Sequence, residues 1–316
     1  MAQRLFVFVQ LEFPWALGPA DGRYLLRAEA SGEPVRVLVL GTLNAGSSTR
    51  GRGGRSPAGR LRGRAAARRR SVPAEPAPVA TATARATIID PVSVSAERQA
   101  RAWLADLDSE REVSTAVAVL NRVLHAQRIA TADPYAREIS PAQALVIRAG
   151  WGHGEQVADG RWVEAVELEW ARPRARRRKL REASLRSQER LAGLLGARDH
   201  PLLCEELALR ARLDLDQGRI AHAALELENG YAAALPELGA EDGQDMAARL
   251  AELERLRSEV AAQAGAALAS ANGAADTAAG SQEGAARQVD QAVIRHALER
   301  LEAALRARAA ARSGQL

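Results

Sequence analysis

The chain has 316 residues, 47% of them apolar, 3% aromatic and 26% charged, with a net charge of +5. Alanine supplies 69 of the apolar positions, so the larger core-forming side chains are enough for one or two modest domains. A chain disordered throughout, a collagen-like repeat and a disulfide scaffold are excluded, the last because Cys204 is the only cysteine.

The charge is unevenly distributed. Residues 50–85 carry ten Arg against Glu75, net +9, and residues 172–190 carry eight Arg and Lys179 against two Glu, net +7. The rest of the chain is net −11, so two basic stretches sit on an acidic body. Arg outnumbers Lys by 43 to one, a skew that a GC-rich genome produces without selection for binding. The opening run Leu5–Val9 is too short for a signal-peptide core, and no stretch approaches the ~18 apolar residues of a spanning helix. A single cysteine fits a reducing compartment, so the expected location is cytoplasmic, without a membrane segment.

Residues 1–43 read as a small antiparallel β meander. Arg4–Phe13 is rich in aromatic and β-branched residues and stops at Pro14. Gly18-Pro19-Ala20-Asp21-Gly22 is turn chemistry, and Arg23–Glu29 and Val35–Leu43 supply two further strands. Residues 44–85 hold an Arg/Gly/Ser half and a Pro/Ala half with no aromatic residue, which predicts a disordered linker.

Residues 86–171 are expected to complete the N-terminal domain. Thr87-Ile88-Ile89 and Val92-Ser93-Val94 predict a strand, broken at Pro91, that rejoins the N-terminal sheet across the linker. Ser95 is the expected N-cap of a long helix. Trp103, Leu107, Val113, Val117, Leu120 and Leu124 give that helix one apolar face, with Asp106–Ser109 a point of division and Asp133-Pro134 a stop. Ser140-Pro141 opens a short helix leading into Gly150-Trp151-Gly152-His153-Gly154, read as a loop. Ala158-Asp159-Gly160-Arg161-Trp162 repeats the earlier Ala-Asp-Gly-Arg-aromatic pattern and predicts a second hairpin with Trp162–Glu169 outgoing.

From about 174 the chain reads as helical. Residues 172–240 are expected to form a helical hairpin domain, with helices over Arg174–Leu195, Pro201–Asp216 and Ile220–Leu235. Residues 241–316 read as two Ala-rich helices separated by the low-complexity patch Ala261–Gly284. Met246, Leu250, Leu253 and Val260 stripe the first; Ile294, Leu298, Leu301 and Leu305 form a two-heptad seam on the second. Such helices pair as an antiparallel hairpin or dimerise. In the preceding hairpin, Leu207 and Ala211 precede Gly218-Arg219, with Ala223, Leu227 and Pro236 after it. Residues 201–236 thereby resemble a single tetratricopeptide repeat, although Asp214 stands where that family carries an aromatic residue and no second repeat follows. The resemblance implies a helical hairpin suited to protein contacts and carries no catalytic residue.

The chemistry-bearing residues form no complete constellation. A nucleotide fingerprint needs a strand before its glycines and a helix after them; Gly150-x-Gly152-x-Gly154 is expected to have the reverse surroundings and reads as a connector. His125, His153, His200, His222 and His296 form no metal pair, and His200 with Cys204 supplies two ligands at most. Cys204 reads as a small apolar packing residue, although the first turn of a helix also lowers thiol pKa values. No nucleophile elbow or phosphate loop occurs, so no catalytic residue, cofactor or metal is assigned. Arg50, Arg52, Arg55, Arg60, Arg62, Arg64, Arg68, Arg69 and Arg70 form a candidate nucleic-acid contact, acting through backbone charge since no aromatic residue interleaves for stacking. Arg176, Arg177, Arg178 and Lys179 open a helix, where the macrodipole disfavours positive charge, which points to an acidic counterpart within or outside the chain.

The resulting expectation is an α+β protein, with a small antiparallel β unit on a long helix followed by a helical hairpin or bundle. Its expected role is a non-enzymatic protein–protein interaction or scaffold protein that binds a partner or itself through its C-terminal helices. Candidate contacts are Arg176–Lys179 and the seam Leu298, Leu301 and Leu305. Nucleic-acid association through residues 50–70 is the alternative, and an enzyme with a site near 150–162 is the third reading.

Overall fold

The computed structural model describes residues 4–29, 32–43, 83–170, 187–239, 244–278 and 288–313. The chain divides into two compact units, Met1–Arg172 and Pro173–Leu316. It is an α+β protein, with a six-stranded antiparallel sheet in the first unit and packed helices in the second.

In the first unit the strands are β1 (Leu5–Phe13), β2 (Gly22–Arg27), β3 (Pro34–Leu43), β4 (Thr83–Ile89), β5 (Val146–His153) and β6 (Glu164–Glu167). Their order across the sheet is β2-β3-β4-β1-β5-β6. Residues 1–43 are therefore not a meander: β1 pairs with β4 and β5, and among the described residues β2 pairs only with β3. The physical reason is the composition of β1, which is apolar at nearly every position and so belongs where both faces are covered. Val9, Leu11 and Phe13 face one side, and Phe8 is buried on the other. Strand β4 rejoins the sheet as anticipated, whereas β5 occupies Val146–His153, where a short helix running into a loop was expected, and pairs antiparallel with β6. Order returns at Thr83, three residues inside the stretch expected to be disordered; residues 44–82 lie outside the described ones.

Helices α1 (Glu97–Ala105) and α2 (Ser109–Thr131) divide where the sequence placed a break. Ser95 is not the cap of α1. That position is Ala96, while the Ser95 hydroxyl donates to Gln99 Oε1 at 2.9 Å. Asp108 caps α2, accepting the Arg111 N–H at 3.1 Å. Val113, Val117, Leu120 and Leu124 pack against Val9, Leu11, Leu38, Ile88 and Ile147. Each such side chain removed from water contributes about 1.5–3 kcal/mol. Buried Asn121 clamps the following chain, donating to the Ile139 carbonyl (3.0 Å) and accepting its N–H (2.8 Å).

In the second unit, residues 187–195 (α3), α4 (Leu203–Asp216), α5 (Ile220–Gly239), α6 (Gln244–Ala278) and α7 (Gln291–Ser313) are helical. Helices α4 to α7 share one core, so residues 172–240 and 241–316 are not separate domains. Much of that core is alanine, including Ala208, Ala211, Ala223, Ala224 and Ala304, which lets helix backbones approach closely. Two sequence boundaries move. Helix α5 continues through Pro236, because Leu238 beyond it is fully buried and Glu237 beyond it reaches α4. Helix α6 extends to Ala278, and Ala264 and Ala267 of the low-complexity patch are buried in it.

Candidate functional site

The residues of the Gly150–Gly154 motif are mostly strand. Gly150 and Gly152 lie in β5, separated by Trp151, which points to the opposite face and is fully buried. A Cβ on Gly150 would overlap the Glu164 carbonyl oxygen, and one on Gly152 would lie 2.7 Å from Val157 Cγ1. The glycines are there for close approach of β6 and of the 3₁₀ turn Gly154–Asp159, and they correct the reading of this stretch as a loop. The second Asp-Gly does adopt its expected backbone: Gly160 has φ of +82°.

The face beneath that turn carries polar residues that sequence reasoning missed. Alternation on β1 puts Phe6, Phe8, Gln10 and Glu12 on one side. Glu12 stands opposite Arg85 of β4, and its Oε1 accepts from Arg85 Nη2 (2.9 Å), Arg85 Nε (3.2 Å) and Arg148 Nη1 (2.9 Å). Gln10 and Thr87 are fully buried and joined by a 2.9 Å hydrogen bond. The Arg148 guanidinium lies 6.0 Å from the Trp162 ring centroid, and Trp162 packs on Phe8 at 5.8 Å. The available signal was one charged residue in each of three strands: Glu12, Arg85 and Arg148.

Cys204 is fully buried in the α4 first turn. Burial pushes its thiol pKa up, and the hydrogen bond to Glu237 pushes it further, both favouring the neutral thiol. Glu237 of α5 caps α4 from outside, accepting the Leu203 N–H (2.9 Å) and the Cys204 N–H (3.0 Å). Burial acts to raise the Glu237 carboxyl pKa, yet these bonds and Arg308 together hold it below its ordinary value. Nearby, Glu205 binds Arg190 (2.6 Å) and lies 3.8 Å from Arg308, a side chain only 1% exposed. Among the described residues no group of three His, Cys, Asp or Glu is arranged to hold a metal ion. No described helix is long and apolar enough to cross a membrane.

The seam on α7 is taken up within the bundle. Leu298 and Leu301 are fully buried in the unit's own core and Leu305 packs against it, so they do not present a surface to a partner. Arg50–Arg70 and Arg176–Lys179 lie outside the described residues. Leu191 and Leu195, just after the second basic stretch, are 55% and 81% exposed. The hairpin predicted from the tetratricopeptide-like pattern is present, with Ala211, Ala223 and Leu227 fully buried in it. Asp214, at the departing position, accepts from Arg219 at 2.6 Å across the turn. No family model, curated protein or solved structure matches the chain.

Proposed function

We propose that the protein is a cytoplasmic, non-enzymatic interaction or scaffold protein whose helical unit contacts an acidic protein partner. The observation that carries this reading is the pair Leu191 and Leu195, exposed one turn apart on α3 directly after the net +7 segment 172–190. Apolar side chains beside concentrated positive charge suit a surface with an apolar centre and a carboxylate rim. Arg190 is engaged internally with Glu205 and Asp199, so the reading assigns partner contact to Arg176, Arg177, Arg178 and Lys179. The test compares the immobilised full chain with R176E/R177E/R178E/K179E in extracts of its host across a salt gradient. Acidic proteins retained by the first, released by salt and absent from the second are expected. Identical sets on both columns would refute the reading.

Nucleic-acid association is the second reading, favoured by where the Arg-rich stretch enters the fold. Leu43 and Thr83 are paired across β3 and β4, so residues 44–82 are an insertion at the tip of a hairpin whose strands are complete without them. An Arg-rich insertion of that kind fits a backbone tether.

A further inference from the structure

Helix α4 is apolar on two sides. Cys204, Ala208, Ala211 and Leu215 turn inward to the core shared with α5, α6 and α7. On the opposite side Leu203, Glu206, Leu209, Arg210 and Leu213 follow one another at helical spacing, all of them exposed. The three leucines are 58%, 69% and 43% exposed. The other long helices of this unit differ. Among the described residues no leucine, isoleucine or valine of α5 or α7 is exposed, and α6 exposes only Leu268. Exposed leucines scattered singly are ordinary, whereas a stripe of them concentrated on one helix marks an interaction surface.

The charges within the stripe say which partner fits. Its ionic residues are Glu206 and Arg210, one of each sign, joined across one helical turn at 3.0 Å. Both side chains are more than half exposed, so this pair contributes little to the fold. Glu205 and Arg212 are turned aside, to Arg190 (2.6 Å) and Glu302 (2.8 Å). Read backwards, the stripe keeps its leucines and exchanges its charges. Turned end for end about the level of Ala208, it places Glu206 opposite Arg210 and Leu203 opposite Leu213, each twice over. Leu209, one residue from that level, meets its own counterpart. A second, antiparallel α4 thus matches the apolar and the charged positions together, as a closed two-fold contact requires. The Asp216 carboxylates of the two copies end about 24 Å apart, at opposite ends of the contact. The basic stretch before α3, at net +7, would instead repel a copy of itself, so that surface does not compete for this role.

We propose that the protein forms a two-fold dimer through antiparallel packing of α4 on the α4 of a second copy. The leucines supply the burial. Each Glu206 keeps its own Arg210 within reach and gains the Arg210 of the second copy, so four charges alternate in sign across the contact. The contact is one helix of 14 residues, about 21 Å long, which places it among the small, reversible interfaces. Association is therefore concentration-dependent, and it uses a surface separate from Leu191 and Leu195 on α3.

The test is sedimentation equilibrium of the full chain from about 1 to 500 μM at neutral pH, the range in which a small interface dissociates. The wild type should pass from monomer to dimer, and L209A/L213A should stay monomeric throughout. E206R and R210E, each with unchanged helix content by circular dichroism, set like charges opposite one another twice. Each should weaken association about tenfold or more. An equimolar mixture of E206R and R210E restores both opposite-charge contacts in the mixed dimer. It should associate to within about threefold of the wild type. A monomer at every concentration, a dimer that survives L209A/L213A, E206R as tight as the wild type, or a mixture no tighter than either variant alone would each overturn the proposal.

Discussion

Replacing Glu237 by alanine removes the external cap of α4. Its two oxygens accept the Leu203 and Cys204 N–H groups, and Leu202 at the cap position has no side-chain acceptor of its own. Losing an N-cap costs about 0.5–2 kcal/mol, and hydrogen bonds to a charged group about 1.5–3 kcal/mol each when well buried. Glu237 is only half-buried, which discounts the second figure, so the expected loss for E237A is about 2–3 kcal/mol. E237Q keeps one acceptor and should lose about half as much. The direction with pH follows from linkage. The folded-state pKa is lowered, so the carboxylate's contribution is present above the ordinary value of 4.5 and fades as pH falls through the folded value. Urea unfolding followed by circular dichroism at pH 7, and again at progressively lower pH, reads this directly. The wild type and E237A should differ at neutral pH and converge in acid. A difference below about 0.5 kcal/mol at pH 7, or one that persists unchanged into acid, would refute the capping argument.

Other outcomes follow from the same geometry. Gly150→Ala forces a Cβ into the backbone of β6 and should destabilise the first unit by about 1–3 kcal/mol, whereas Gly265→Ala, in open space on α6, should stabilise the second by about 0.5–1 kcal/mol; thermal melts of both variants check the contrast. Replacing residues 44–82 with Asn-Gly should leave the fold and melting temperature of the first unit intact, since Leu43 and Thr83 already face each other as hairpin neighbours. If the Arg-rich insertion is a nucleic-acid tether, the same deletion abolishes a salt-sensitive gel shift seen with the full chain. Cys204 should resist alkylation until urea unfolds the second unit, and rapid labelling of the native protein would contradict its buried, raised-pKa thiol.

The sequence carried local structure well and pairing poorly. The apolar stripes on α2, α6 and α7 follow helical spacing, and their residues are buried or packed against a buried core. The order of strands was not legible because β1 is apolar on both faces over Leu5–Val9 and alternates only beyond it, which marks it as central but does not say which strands flank it. Gly150 and Gly152 read as a loop because the reason for them, the backbone of β6 and the side chain of Val157, lies at other points in the chain. Pro236 reads as a helix end by propensity, and burial of Leu238 overrides it. The polar row is split among Glu12, Arg85 and Arg148, each a single charge in its own strand, and only the sheet register assembles them.

The central claim, an acidic partner held by α3 and the basic residues before it, is tested most directly by photo-crosslinking within the host. A photoreactive residue at Leu195, 81% exposed, is compared with one at Glu110, also exposed but on α2 of the first unit. An adduct with an acidic protein at Leu195 only, lost when Arg176, Arg177, Arg178 and Lys179 are reversed in charge, is the predicted result. Equal adducts at both positions, or an adduct at Leu195 indifferent to charge reversal, would contradict the account.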